Sequence, residues 1–158
     1  MSTSVINLVI IVLLGIAYMF TYSIVISKFL NKISTPKNMA ILMIYFSALL
    51  SAGVNLYHIS EISTNAFTFF FDKQDFVNAI LYSIGFFVGM WVFSFAFFWI
   101  SFFLVGMFTS QVEKHELSMN NREIAGLHGI ILITLSFVIA PVLISIASQF
   151  IPYPELPF

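Results

Sequence analysis

The chain has 158 residues, of which 60% are hydrophobic and 8% charged, with a formal net charge of −1 and no cysteine. Soluble domains carry about a quarter charged residues, so at a mean hydropathy of +1.03 this sequence cannot cover a water-facing surface. The near-neutral charge excludes a basic field for nucleic acid. The absence of cysteine excludes disulfides, thiol nucleophiles, iron–sulfur clusters and thiolate zinc sites.

In chain order, the first apolar segment spans about 5–29. Its amino end, MSTSVIN, lacks the basic region of a signal peptide and its apolar run is long, so it is predicted to be a retained transmembrane helix. The connection KFLNKISTPKN carries Lys28, Lys32 and Lys37 with no acid. The second span is predicted over 39–57. The segment SEISTNAFTFFFDKQD then reads as an acidic external loop, with Phe67, Phe69, Phe70 and Phe71 dipping into the interface. Asp75 is a good N-cap for the third helix.

The third span is predicted over 76–109. No residue from Phe76 to Val112 is charged, and at about 1.5 Å per residue a continuous helix would be roughly 55 Å long, against a hydrocarbon core of about 30 Å. No Pro, Asn or Asp near its middle would turn the chain, so one long, tilted helix is preferred to a hairpin. On a helical wheel Gly85, Gly89 and Ala96 share one sector, a candidate close-packing face. Ser83, Ser94 and Ser101 lie nearly opposite. Between them come rings that include Trp91 and Trp99, which serve lipid or a neighbouring subunit. This makes the third helix the expected central packing helix. A cofactor box would need polar anchors that the stretch lacks.

A second basic connection, SQVEKHELSMNNRE, leads to the fourth span, predicted over 124–150, with Pro141 inside it as a source of a kink. The terminal IPYPELPF, 151–158, holds three prolines and is predicted to be an extended tail. Five of the six Lys and Arg residues fall in the two basic connections. The Lys/Arg bias therefore predicts those connections inside and both termini outside, in the periplasm of a bacterial plasma (inner) membrane. The fold class is then all-α: a single polytopic membrane domain of four transmembrane helices, the third unusually long.

Helix, basic loop, helix, acidic loop, helix, basic loop, helix also reads as two tandem helical hairpins. Laying 37–51 over 122–136 pairs Ala40 with Ala125, Leu42 with Leu127, Leu50 with Leu135 and Ser51 with Ser136. Two such hairpins in one orientation would pack about an axis along the membrane normal. With ISTPKNMA after the first helix and NNREIAGLHG entering the fourth, the layout resembles the YjfL-like family of small bacterial inner-membrane proteins, built from two tandem two-helix units. The resemblance spans roughly residues 8–148. The chain departs from it in being more aromatic and in lacking a Gly-rich second helix, and the resemblance implies a fold rather than an activity.

Chemistry is sparse. The spans hold no Asp, Glu, Lys or Arg at mid-depth, which weighs against a pump or an ion-coupled carrier. His58, expected at the outer end of the second helix, and His128, one turn into the fourth, lie too far apart for one haem. Glu113, His115, Glu116, Glu123 and His128 show no ligand spacing on a helix, so no metal and no cofactor is expected. Asn7, Asn55, His58, Glu61, Asp75, Asn78 and Gln149 are expected near the external face, as a polar vestibule or as ordinary caps. With no catalytic constellation the chain does not read as an enzyme. It reads as a small accessory subunit that scaffolds or stabilises a larger membrane complex of respiratory, secretion or motor type. Its partners would be the lipid bilayer and other membrane subunits or further copies of itself, with no nucleic acid. An oligomeric transporter or channel component and a lipid- or quinone-binding redox subunit are the alternatives.

Overall fold

The computed structural model describes residues 3–34, 38–108 and 113–149, and among them every regular element is helical. The helices are α1 (Thr3–Leu30), α2 (Met39–Asp72), α3 (Phe76–Phe108), the short α4 (Glu113–Ser118) and α5 (Arg122–Ser148). All but α4 are long and apolar enough to cross a membrane. The tail 151–158, the Thr-Pro turn and residues 109–112 lie outside the described residues.

The long third segment is one helix of 33 residues. The second is longer than its predicted span. α2 does not stop at Tyr57 but continues to Asp72, 34 residues in all, so the segment read as an acidic loop is helix. Its hydroxyls explain how. Ser60 donates to the carbonyl of Leu56, Thr64 to that of Ser60 and Thr68 to that of Thr64. Each polar side chain thereby folds back on its own helix. The phenylalanines do not dip into an interface as a loop would. Phe67 and Phe70 are buried with Ala79 of α3, and Ile6 and Ile10 of α1 pack on them. At about 1.5 Å per residue α2 and α3 are each about 50 Å long.

Side-chain caps open α2, α3 and α5. After α2 the chain reverses over Lys73–Asp75, with Gln74 at φ 61°. Asp75 then caps α3, accepting from the Asn78 backbone N–H at 3.2 Å and from the Asn78 side chain at 2.6 Å. At the opposite end Asn38 caps α2, its Oδ1 accepting from the N–H groups of Ala40 and Ile41. Its Nδ2 reaches the carbonyls of Leu117 and Ser118, which ties α4 to the bundle. Asn121 caps α5 in the same way, accepting from Glu123 and Ile124.

α2, not α3, is the central helix: it packs against α1, α3 and α5, and among the described residues α1 does not touch α5. Small residues make this possible. Ala40, Ala48, Ala52 and Ala66 on α2 are all fully buried, and Gly129 of α5 sits so close to Ser47 that a Cβ there would collide with it. α2 and α5 run parallel, and the hydroxyls of Ser51 and Ser136 meet across their contact. That is the pair which the tandem-hairpin alignment superposes, and a residue meets its own counterpart where a two-fold axis passes. The caps Asn38 and Asn121 are 83 residues apart rather than 85, so the repeat register holds in the buried stripe and not at the helix entrances.

Candidate functional site: a polar clasp inside the bundle

Serine is poor at holding a helix together and good at joining two of them, because its hydroxyl both donates and accepts. α3 places Ser83, Ser94 and Ser101 on one fully buried face. Ser94 is the hub. Its Oγ donates to its own Met90 carbonyl at 2.9 Å. With that single proton committed, it can only accept from the Tyr18 hydroxyl at 2.6 Å and from Asn55 Nδ2 at 2.8 Å. One hydroxyl thus joins α1, α2 and α3. Tyr22, stacked on Tyr18 with ring centres 6.2 Å apart, points its hydroxyl at the Ser94 carbonyl.

Two further polar ties surround the clasp. Trp91 Nε1 donates to Thr21 Oγ1 at 3.0 Å, and Ser23 pairs with Tyr45 at 2.6 Å. On the other flank Ser101 donates to the Phe98 carbonyl and hydrogen-bonds His128 Nε2 at 3.1 Å. The His128 ring lies 3.9 Å from that of Phe102, and Phe98 flanks it too. His128 is fully buried and is a helix–helix contact in an aromatic setting.

The predicted outer polar cluster is not brought together. Asn55 is fully buried at the clasp, midway along α2, and Asp72 at the end of that helix is about 25 Å further on by helical rise. Asp75 and Asn78 pair with each other at the turn. Asn7 is buried on α1, while Gln149 is exposed at the end of α5. His58 stands fourteen residues before the end of α2 rather than at it; it is half-buried, with its ring against that of Tyr57 at 5.3 Å. The oxygens Asn7 Oδ1, Asn55 Oδ1 and Ser63 Oγ are buried without a hydrogen-bond partner, which marks the half of the α1–α2–α3 seam nearer the α2–α3 turn as its least paired part.

The glycine face of α3 also needs correction within the chain. A Cβ on Gly85 or Gly89 would meet nothing within 4 Å, so no described helix of this chain packs there. The serine side won because its hydroxyls find partners on α1, α2 and α5, whereas the glycines offer only proximity. Gly85, Val88, Val92, Trp99 and Phe103 instead form an outward stripe at helical spacing, with Trp99 52% and Phe103 67% exposed. Ala96 and Trp91 are half-buried beside it.

Two shallow grooves flank the exposed back of α2. One, of about 660 Å³, runs between α1 and α2 past Gly15, Leu49 and Leu56. The other, of about 740 Å³, runs between α2 and α5 past Phe46, Gly53, Tyr57, His58, Phe137 and Pro141. No signal in the sequence alone marked these grooves; they exist because α1 and α5 do not meet. No protein-family model, curated protein or solved structure matches this chain.

Proposed function

We propose that this chain is a small integral membrane subunit that stabilises a larger membrane assembly through the outward face of α3. The carrying observation is the division of labour on that helix. The serines are spent inside the chain, while a Cβ on Gly85 or Gly89 would meet nothing among the described residues, and Trp99 and Phe103 stay more than half exposed, Trp99 with one edge against Phe29 of α1. Lipid gives helices no hydrophobic reason to associate, so a close-packing face is useful chiefly to another helix. The Lys/Arg bias favours an orientation with the α2–α3 turn and both termini outside, in a bacterial inner membrane. The tandem-hairpin layout favours kinship with YjfL-like proteins.

Purification in mild detergent followed by native mass spectrometry tests the reading. The expected result is a complex with a stoichiometric larger membrane partner. Replacing both glycines (Gly85→Leu with Gly89→Leu) should release that partner while the chain keeps its helicity. Isolation of the wild-type chain as a stable monomer, or a partner that stays bound to the double variant, would overturn it.

A further inference from the structure

We infer that the groove between α2 and α5 is a binding site for an uncharged, hydroxyl-headed amphiphile. Its volume, about 740 Å³, is in the range of about 300–1,000 Å³ that small-molecule sites occupy. It runs from Phe46 to His58 along α2, about 18 Å by helical rise. Its polarity is graded. Phe46, Leu50, Val54 and Phe137 line the body, and Tyr57 and His58 stand at one end.

That end is the one nearer the carboxyl end of α5. Ser51 meets Ser136, so on the parallel helices His58 stands level with Leu143, five residues short of the end of α5 at Ser148. A head at Tyr57 and His58 would lie toward the carboxyl end of α5, with its chain running along α2 toward Phe46. Gly53 leaves the floor open, since a Cβ there would meet nothing within 4 Å. Pro141, in the same groove, supplies no N–H to the Phe137 carbonyl.

The charges choose the head group. Among the described residues no Lys or Arg lines this groove or its neighbour. The nearest charge along α2 is Glu61, exposed one turn past Tyr57. A phosphate head would meet no cation and one like charge. The imidazole and phenol at one end suit a hydroxyl, which both donates and accepts.

The test uses the full chain in phosphatidylcholine vesicles with three diazirine probes of equal chain length: hexadecanol, its methyl ether and a phosphatidic acid. Cross-linked peptides are mapped by mass spectrometry. The alcohol should label peptides spanning 46–58 and 137–141 about fivefold more than the ether, the worth of roughly one hydrogen bond, and unlabelled hexadecanol should compete. Gly53→Phe fills open space, so it should keep the fold and abolish the excess, and His58→Phe should reduce alcohol labelling to the level of the ether. Equal labelling by alcohol and ether would identify ordinary boundary lipid and overturn the proposal, as would preference for the phosphatidic acid. The chain has no cysteine, so a single Gly53→Cys variant that cross-links to itself in vesicles would put a second copy in the groove and overturn it too.

Discussion

Ser94→Ala isolates the energetic worth of the clasp. The hydroxyl accepts from Tyr18 on α1 and Asn55 on α2, so its removal breaks two helix–helix hydrogen bonds and strands two buried donors. Within membranes such bonds average about 0.6 kcal/mol and reach about 1.7 kcal/mol, which places the loss at about 1–3 kcal/mol once desolvated donors are included. Two other serines on buried faces calibrate the scale. Among the described residues Ser83 bonds only the Ala79 carbonyl of its own helix, so Ser83→Ala should cost close to nothing. Ser51→Ala removes the single tie to Ser136 and should cost about 0.6 kcal/mol. Unfolding in mixed micelles by titrated dodecyl sulfate, followed through the fluorescence of Trp91 and Trp99, gives all three values. Pairing Ser94→Ala with Tyr18→Phe in a double-mutant cycle then gives the coupling directly. If Ser94→Ala loses no more than Ser83→Ala, the clasp contributes nothing to stability and Ser94 is not its hub.

The same assay reaches other parts of the fold. Gly129→Ala drives a Cβ into Ser47 and should cost about 1–3 kcal/mol as overpacking, while Gly85→Ala, in open space, should be neutral or raise stability by up to about 1 kcal/mol through helix propensity. Asn38→Ala removes the α2 cap and the tie to α4 and should lower stability by about 1–2 kcal/mol; proteolysis at the α4 connection should accelerate in parallel. Gln74 holds φ at 61°, so Gln74→Gly should leave the turn intact or stabilise it, and Gln74→Val should cost about 1–2 kcal/mol. Equal midpoints for those two variants would show that the turn does not depend on that conformation.

The four helices are legible in the sequence because crossing a bilayer sets a length that apolar runs of this composition meet with few charges. The course of α2 beyond Tyr57 is not, because Ser, Thr and Asn read as loop residues when their partners are unknown. The spacing is nonetheless there: Ser60, Thr64 and Thr68 recur every four residues on one side, and Ile59, Ile62, Ala66 and Phe70 supply the buried side. The face of α3 that turns inward is not legible either. A helical wheel finds two small-residue faces and cannot say which has neighbours, since that depends on Tyr18 and Asn55, far away in sequence. Asn55 is misplaced for a related reason: a helix that ended at Tyr57 would set it near the membrane surface, and the true helix sets it midway.

The clasp also accounts for the asymmetry that shapes the chain. Under the tandem-hairpin register α1 corresponds to α3 and α2 to α5, and a strict two-fold arrangement would match the α2–α3 contact with one between α5 and α1. Among the described residues that second contact does not occur. At the offset of 85 residues that joins Ser51 to Ser136, Asn55 corresponds to Ala140, Ser94 to Val9 and Tyr18 to Phe103. Each member of the polar trio, two from the first half and one from the second, has an apolar counterpart in the other half. Where Asn55 and Ser94 draw α2 and α3 together, Ala140 and Val9 have nothing to exchange, and lipid supplies no hydrophobic drive in place of hydrogen bonds. α1 is held toward α3 by Tyr18, and the side of the bundle between α1 and α5 stays open. The two grooves along the back of α2 are therefore consequences of three residues buried on its other side, and a variant that weakens the clasp should alter occupancy of the α2–α5 groove without touching its lining.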